Sequence, residues 1–366
     1  MNRVAIINSR QTKTPAGDDP WICATLAAVD HAVSTNGWEI VSSIRMITWD
    51  LVTWRTGMTG GTIQLVIPLA DESEEDKTKE SILTEYGLDA ARTSWQFFSV
   101  PASDLAKKSW WPERDQRVIE LADVIFPVSL RPNGLLEQLM GQRDSRADSR
   151  FTTAYKPQPR HAKELVDPNR LNPELAHWPG DYLIHWTRAS NGPWPGEKTA
   201  SFLEDLVQSR EHYCRSAFAT LQRILREGVI RASSWRIADD RSVVSFTELS
   251  PLDSLSLMRW RARWARWSFE PYGIAVHRDW AMSRDVQPVR YVSEQEWKAL
   301  SPEERPFCHR IGVKAGEWPA EREWRCLSDF SLRDAPDDAV RIIVRDCKES
   351  EKMKAISESL VLGFLQ

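Results

Sequence analysis

Glu321 and Glu323, two residues apart in AEREWRCLSDF, are the side chains best placed by type and spacing to do chemistry. In a strand, positions i and i+2 share a face, so both carboxylates would enter one cleft. Paired carboxylates suit reactions through an oxocarbenium-like sugar. One preplaced negative group meets the developing positive charge while the other helps move a proton. His185 is delivered by a second strand, DYLIHWT, beside Trp186, Thr187 and Arg188. Ser245 and Thr247 alternate in VVSFTE, and Glu248, which also ends that strand, could replace either carboxylate. The chemistry requires Glu323 and His185 to converge on a shared cleft walled by indoles. The structural alternatives are a solvated strand edge with Trp324 packed inward, and a hydrogen-bonded core histidine.

The elements that must position these groups run from Val243 to Val292. Val243, Val244 and Phe246 make a β-prone run, and Ser250-Pro251 then supplies an N-cap and a first helical proline. Leu257, Trp260, Trp264 and Trp267 recur at helical spacing, with Arg259, Arg263 and Arg266 one residue offset. That pattern predicts one long helix with a packed indole stripe and an outward arginine stripe. A tight turn and a second strand ending at Pro288 follow. Another long helix, from about Ala200, closes at Gly228.

The order of these pieces resembles the AbiGi abortive-infection family and, more loosely, the ADP-ribosyltransferase-like fold that includes DarT-type toxins. The matching residues are Ser245 to Glu248, Tyr272-Gly273-Ile274, Trp280, Pro288-Val289 with Tyr291, and Glu321 to Arg325. The resemblance implies an α+β effector domain over residues 180–366 that takes NAD as substrate. Glu323 would hold the ribose hydroxyl and Glu321 would help the acceptor. His185 would hold the adenosine-side ribose with Thr187 beside it. Ser245 and Thr247 would support the nicotinamide site, and Tyr272 would stack on the nicotinamide ring.

The first half alternates strand and helix, the mark of a parallel sheet wrapped by helices. RVAIINSR opens as a strand, a helix runs from about Trp21 to Val33, and WEIVSSI, TIQLVIP and WQFFSVP supply further strands. Asp71 to Glu80 reads as a solvated helix start or loop. VAIINSR, NGWEIVSSI, GGTIQLVIP and WPERDQRVIELADVIFPVS, in that order, resemble the Rossmann-like domain of the DNA-processing protein DprA and its SLOG relatives. This implies a nucleotide-binding domain over residues 1–140. Its candidate contacts are Ser9, Arg10, Arg114, Arg131, Asn133 and Gly134; the alternatives are surface salt bridges for Arg114 and Arg131 and a plain turn at Asn133-Gly134. IRMITWD stands where DprA proteins carry a glycine-rich loop, and an asparagine precedes Ser9 where glycine is usual. Loss of those glycines blocks close backbone approach to a phosphate, which puts DNA processing in doubt but not the fold.

At 366 residues the chain has room for two domains, and the Arg-, Asp- and Pro-rich stretch 141–179 reads as the linker. A net charge of -4 excludes a polycation, so nucleic acid remains a partner only through a local patch. The 18 tryptophans fit a bulky core and leave an aromatic ligand site open. Five scattered cysteines without a CxxC pair predict neither disulfides nor a metal site, and Cys308-His309 has no second pair at ligand spacing. With no leader-like start and no apolar run of about 18 residues, a cytoplasmic protein without membrane contact is expected. A homo-oligomer is left open. The expectation is therefore a SLOG/DprA-like α/β domain that binds a nucleotide-type ligand, followed by an α+β ADP-ribosyltransferase-like effector in antiviral defence. The alternative is a non-catalytic DNA-binding or regulatory protein.

Overall fold

The structure, a computed structural model, describes all residues except 1, 36, 106, 108, 142–143, 157–165, 235–236, 238–240, 262–265, 312–320, 337, 358 and 366. The chain divides into two compact units, residues 1–159 with 191–214, and residues 160–190 with 215–366.

In the first unit, near-continuous apolar runs become strands buried on both faces of a parallel sheet. β1 (Asn2–Asn8), β2 (Trp38–Ser42), β3 (Ile63–Leu69), β4 (Thr93–Ser99) and β5 (Val124–Ser129) lie in the order β4-β3-β2-β1-β5 with every pair parallel. The connecting helices are α1 (Pro20–Ser34), α2 (Ile47–Met58), α3 (Glu75–Tyr86) and α4 (Trp111–Leu121), and α5 (Leu135–Gly141) follows β5. Val4, Ile6 and Leu65 point into one core and Ala5, Ile7 and Val66 into the other, as strand alternation requires. β1 is bonded to both β2 and β5, so the winding reverses there and leaves a crevice at the carboxyl ends of β1 and β5.

Two expected boundaries move. Part of the stretch read as linker stays with the first unit: Asp148 N donates to Ile125 O at 2.9 Å and Thr153 N to Val128 O at 2.6 Å, so this segment lies along β5. The long helix expected from Ala200 is two helices. α6 (Thr199–Gln208) buries Phe202, Leu203 and Leu206 in the first unit's core, whereas α7 (Ala217–Glu227) belongs to the second unit. Ser216 caps α7 by accepting from Ala219 N at 3.2 Å, and Gly228 at φ 64° ends it where expected.

The second unit begins with β6 (Tyr182–Trp186) and continues through β7 (Val229–Ile230), β8 (Val243–Thr247), β9 (Trp260–Arg261), β10 (Arg266–Trp267) and β11 (Gly273–His277). Helix α8 (Arg278–Met282), β12 (Gln287–Pro288), β13 (Arg290–Val292), α9 (Glu294–Ala299), β14 (Cys308–Arg310) and β15 (Glu323–Leu327) come next. The chain then forms β16 (Phe330–Ser331), β17 (Val340–Asp346), α10 (Cys347–Lys354) and β18 (Leu360–Leu365). Seven strands make a mixed sheet in the order β12-β15-β8-β6-β11-β17-β18, antiparallel except for the β17–β18 pair. One face, with Leu183, Phe246, Ile274, Trp324 and Ile342, packs on α7, α8 and α10 through Leu221, Ala281 and Met353. The other, with Ile184, Trp186, Ala275, Ile343 and Phe364, packs on Met258.

The long aromatic helix is not formed. After Pro251 the chain makes one short 3-10 segment, Asp253–Leu257, and then an antiparallel ribbon in which β9 and β10 pair Trp260 with Trp267 and Arg261 with Arg266. The two indoles meet edge to face at 5.8 Å. A seven-residue separation fits two helical turns, but it equally places the indoles opposite each other across a hairpin, where cross-strand aromatic pairing stabilises them. Arg263 and Trp264 lie outside the described residues. Among the described residues no helix is long and apolar enough to cross a membrane.

Gly273 is fixed by packing. A Cβ there would stand 3.0 Å from Trp186 Cε3 and 3.1 Å from Ile184 Cγ2 on the neighbouring strand. Gly273→Val is therefore expected to destabilise the second unit by about 1–3 kcal/mol through overpacking. Chemical denaturation monitors it, and an unchanged midpoint would show that β6 can yield.

Candidate functional site

β8 and β15 bring the expected Ser245 and Glu323 together. Their register pairs Glu323 with Thr247 and Arg325 with Ser245, so these four side chains share a face. Ser245 Oγ donates to Glu323 Oε1 at 2.7 Å. Arg325, two residues along the same strand, donates from Nε to Oε1 and from Nη2 to Oε2, both at 2.8 Å, with a third bond from Nη1 to Pro306 O at 2.7 Å. The side chains of Arg325 and Glu323 are 7% and 14% exposed, so the pair is charge-assisted, bidentate and largely shielded from water. Arg325 was not singled out from the sequence. Its signal was available in the spacing, because Glu and Arg at i and i+2 of a strand face the same way.

Glu321 reaches the site by another route than expected. The strand begins at Glu323, and Arg322 before it sits at φ 42°, so strand alternation does not set the direction of Glu321. Its carbonyl is held by Thr247 Oγ, which donates to it at 2.5 Å, and Glu248 N donates to Arg322 O at 3.2 Å. Glu248 itself is engaged, accepting from Trp324 Nε1 at 3.1 Å. Burial, then the negative charge of Glu323, pushes the Glu321 carboxyl up to about 7, against the opposing pull of Arg261, Arg188 and Arg259. Tyr291, also near both carboxylates, is pushed up to about 12, chiefly by burial.

The raised Glu321 value has a defined sign in stability. The folded chain holds this proton more tightly than the unfolded chain, whose value is 4.5. The stabilisation is complete below that value and is lost as pH rises through about 7. Glu321→Gln should gain stability relative to the parent over that window, by on the order of 3 kcal/mol at pH 8. Denaturation midpoints of the two proteins from pH 4 to 8 measure the difference, and parallel pH profiles would refute it.

His185 does not converge with Glu323. It pairs across β6 and β11 with Ile274, whose side chain is in the helix-covered core, and its ring meets Phe246 edge to face at 5.9 Å on that side. Glu323 lies with Thr247, which pairs with Ile184 of the opposite core. The two groups therefore leave the sheet on opposite faces, because His185 and Ile184 alternate along β6. His185 Nδ1 lies 2.8 Å from Ser245 O and donates to it, since a carbonyl only accepts. Burial lowers the imidazole to about 4, so the ring is neutral at pH 7 and its proton sits on Nδ1. It bridges β6 and β8 where they share only the Ile184–Thr247 pair. Ser245 is thus held from one face by its carbonyl and binds Glu323 on the other by its hydroxyl.

Thr187 is buried, and its hydroxyl donates to Ala217 O at 3.0 Å and Tyr272 O at 3.2 Å, both backbone atoms. Tyr272 lies in the helix-covered core, and its hydroxyl donates to Glu349 Oε1 at 3.1 Å. The expected convergence of His185 with Glu323 is therefore corrected, and Thr187 and Tyr272 lie on the helix-covered side with His185. His309 is in β14, its ring 6.1 Å from that of Tyr291, and among the described residues no group of three or more His, Cys, Asp or Glu could hold a metal.

In the first unit, the crevice between β1 and β5 gathers five of the six expected residues. Ser9 Oγ accepts from Arg131 N at 2.8 Å and Ser9 N donates to Ser129 O at 2.9 Å. Arg10 follows with its side chain exposed and its carbonyl bonded by Tyr155 Oη at 3.2 Å. Asn133, at φ 58°, and Gly134 form a tight turn in which Gly134 N donates to Arg131 O at 2.9 Å and Asn133 N to Glu137 Oε2 at 2.5 Å. Arg114 is the correction. It is 0% exposed, with its guanidinium carbon 5.6, 5.4 and 5.2 Å from the ring centres of Trp49, Trp110 and Trp111. Nε donates to Asp115 at 2.9 Å and Nη1 to Ile44 O at 3.3 Å, so Arg114 serves the core.

Fold and site define a chain with a parallel α/β unit and a mixed-sheet unit that carries a Ser-anchored carboxylate pair. No protein-family model matches the chain, and no curated protein sequence matches it.

Proposed function

We propose that the chain is an antiviral defence protein of the abortive-infection type. Its parallel-sheet unit is a SLOG/DprA-like domain that binds a nucleotide or phosphate-bearing ligand, and its mixed-sheet unit is an ADP-ribosyltransferase-like effector that takes NAD as substrate. The observation that carries the reading is the pair of carboxylates in unlike settings: Glu323 fixed by Ser245 and Arg325, and Glu321 pushed up to about 7 beside it. Two acids with distinct environments can divide the work of glycosidic cleavage. Glu323 meets the positive charge that develops on the ribose as nicotinamide leaves, and Glu321, poised near neutrality, takes the proton of the acceptor. Ser245 and Arg325 orient Glu323; the shared cleft of Glu323 and His185 expected from the sequence is not formed, so the reading rests on the carboxylate pair alone and His185 serves only to fix the Ser245 backbone.

A second reading has its own support. Arg325 engages both oxygens of Glu323, as a structural ion pair would, and the chain would then be a non-catalytic DNA-binding or regulatory protein. Incubating the purified chain with labelled NAD and a panel of protein, DNA, RNA and nucleotide acceptors separates them. The transferase releases nicotinamide and labels an acceptor. The binding protein releases none and shows DNA affinity that falls with salt.

A further inference from the structure

The second unit holds a cavity of about 280 Å³ that the carboxylate pair does not line. Phe218 contributes from the N-terminal end of α7, Glu270 and Tyr272 from the turn before β11, Arg345 from the end of β17, and Glu349 from the first turn of α10. Four separate elements thus converge on a space suited to a small molecule.

The polar side chains of this cavity are two carboxylates, one guanidinium and two hydroxyls. Glu349 accepts from the Tyr272 hydroxyl on Oε1, while its Oε2 is buried and has no hydrogen-bond partner among the described residues. Leaving a carboxylate oxygen shielded and unpaired costs free energy, and a donor on a ligand would recover it once a turn of the Glu349 carboxylate brought that oxygen into the cavity. Glu270 accepts from Ala189 N at 2.7 Å. Burial raises both carboxyls above the usual range, although the Ala189 N–H and Arg188 pull Glu270 down and Arg345 pulls both down. Two carboxylates and one guanidinium line the space, and Arg188, outside the lining, also acts on Glu270, so Glu349 is the carboxylate left with Arg345 as its cation. The rings of Phe218 and Tyr272, 5.9 Å apart and tilted by 53°, add an apolar wall against which a cation and its methylene stem can pack. Arg345 is exposed, so it offers a positive charge at the solvent side of the same space.

We propose that this cavity binds a small zwitterion with a cationic head and a carboxylate tail, the chemistry of a basic amino acid. The head is held by Glu349 and Glu270 against Phe218 and Tyr272, and the tail pairs with Arg345. A simple anion is disfavoured by the two carboxylates, and a simple cation leaves Arg345 unused. The inference does not rest on NAD cleavage, since none of its residues belongs to the Glu321–Glu323 pair.

Isothermal titration of the full chain with L-arginine, L-lysine, agmatine and L-glutamate tests it. L-arginine or L-lysine should bind and L-glutamate should not. Glu349→Gln, which keeps an acceptor for Tyr272, should weaken binding at least about tenfold, as expected for losing a charged hydrogen bond. Glu270→Gln serves as the second variant if the first does not fold. Agmatine lacks the carboxylate and should bind more weakly than L-arginine to the parent but equally to Arg345→Ala. Absence of binding by both basic amino acids, equal binding of L-glutamate, or affinities unchanged in both glutamine variants would overturn the proposal. Release of nicotinamide, or its absence, bears only on the transferase reading.

Discussion

Glu323→Gln is expected to lower nicotinamide release from NAD by about 10²–10³-fold, the usual consequence of removing one preorganised electrostatic group from a transition state. The amide keeps the shape of the side chain and can still accept from Ser245, but it brings no charge to the developing oxocarbenium. Structure and catalysis are entangled at this residue, because the substitution also leaves the Arg325 guanidinium, 7% exposed, without its counter-ion. Breaking a buried pair from one side typically costs about 3–5 kcal/mol, whereas replacing both partners by apolar groups of similar size is often neutral. The double variant Glu323→Leu with Arg325→Met should therefore recover thermal stability and remain inactive. Measuring both quantities on the parent, the single and the double variant separates the two roles. Full turnover in Glu323→Gln would remove the carboxylate from the reaction, and an inactive parent would leave the ion pair as its only role.

Much of this architecture was readable because the physics that encodes it is local. The strands of the parallel sheet are apolar runs punctuated by glycine and proline, and β1 to β5 fall where those runs do. The same holds for β6, β8, β11 and β15, whose ends carry the residues of interest. The pairing of Ser245 with Glu323 could be anticipated only through the resemblance, since register between strands distant in sequence has no local signature. The misplacement of His185 has the same origin. Alternation says that His185 and Ile184 face opposite ways, but only the pairing of Ile184 with Thr247 decides which of them shares a face with Glu323. The tryptophans at 260 and 267 misled because their spacing satisfies a helix and a hairpin alike. The boundary near residue 200 failed for a third reason. Phe202, Leu203 and Leu206 look like any amphipathic helix, and the core they enter belongs to residues far earlier in the chain.

Arg114→Ala should be the most damaging single change in the first unit, and it tests what the tryptophan cage is for. The guanidinium is the cation nearest to Asp115, whose carboxyl is already raised by burial, and it fills the space bounded by Trp49, Trp110 and Trp111. Truncation removes the ion pair and opens a void at once, for an expected loss of about 3–5 kcal/mol. In a unit of this size that lowers the melting temperature by roughly 10 °C, which scanning calorimetry resolves. Arg114→Met separates the two causes by filling most of the volume without the charge. If dispersion against the indoles dominates, methionine restores most of the loss. If the cation is what the cage holds, methionine does little better than alanine, because Asp115 is left without its partner and the ring faces lose the positive charge they attract. The cation reading is the stronger one. Three indoles at 5.2 to 5.6 Å from one guanidinium carbon concentrate the favourable faces on a group that is otherwise costly to bury. The methionine variant is accordingly expected to regain less than half of what alanine loses.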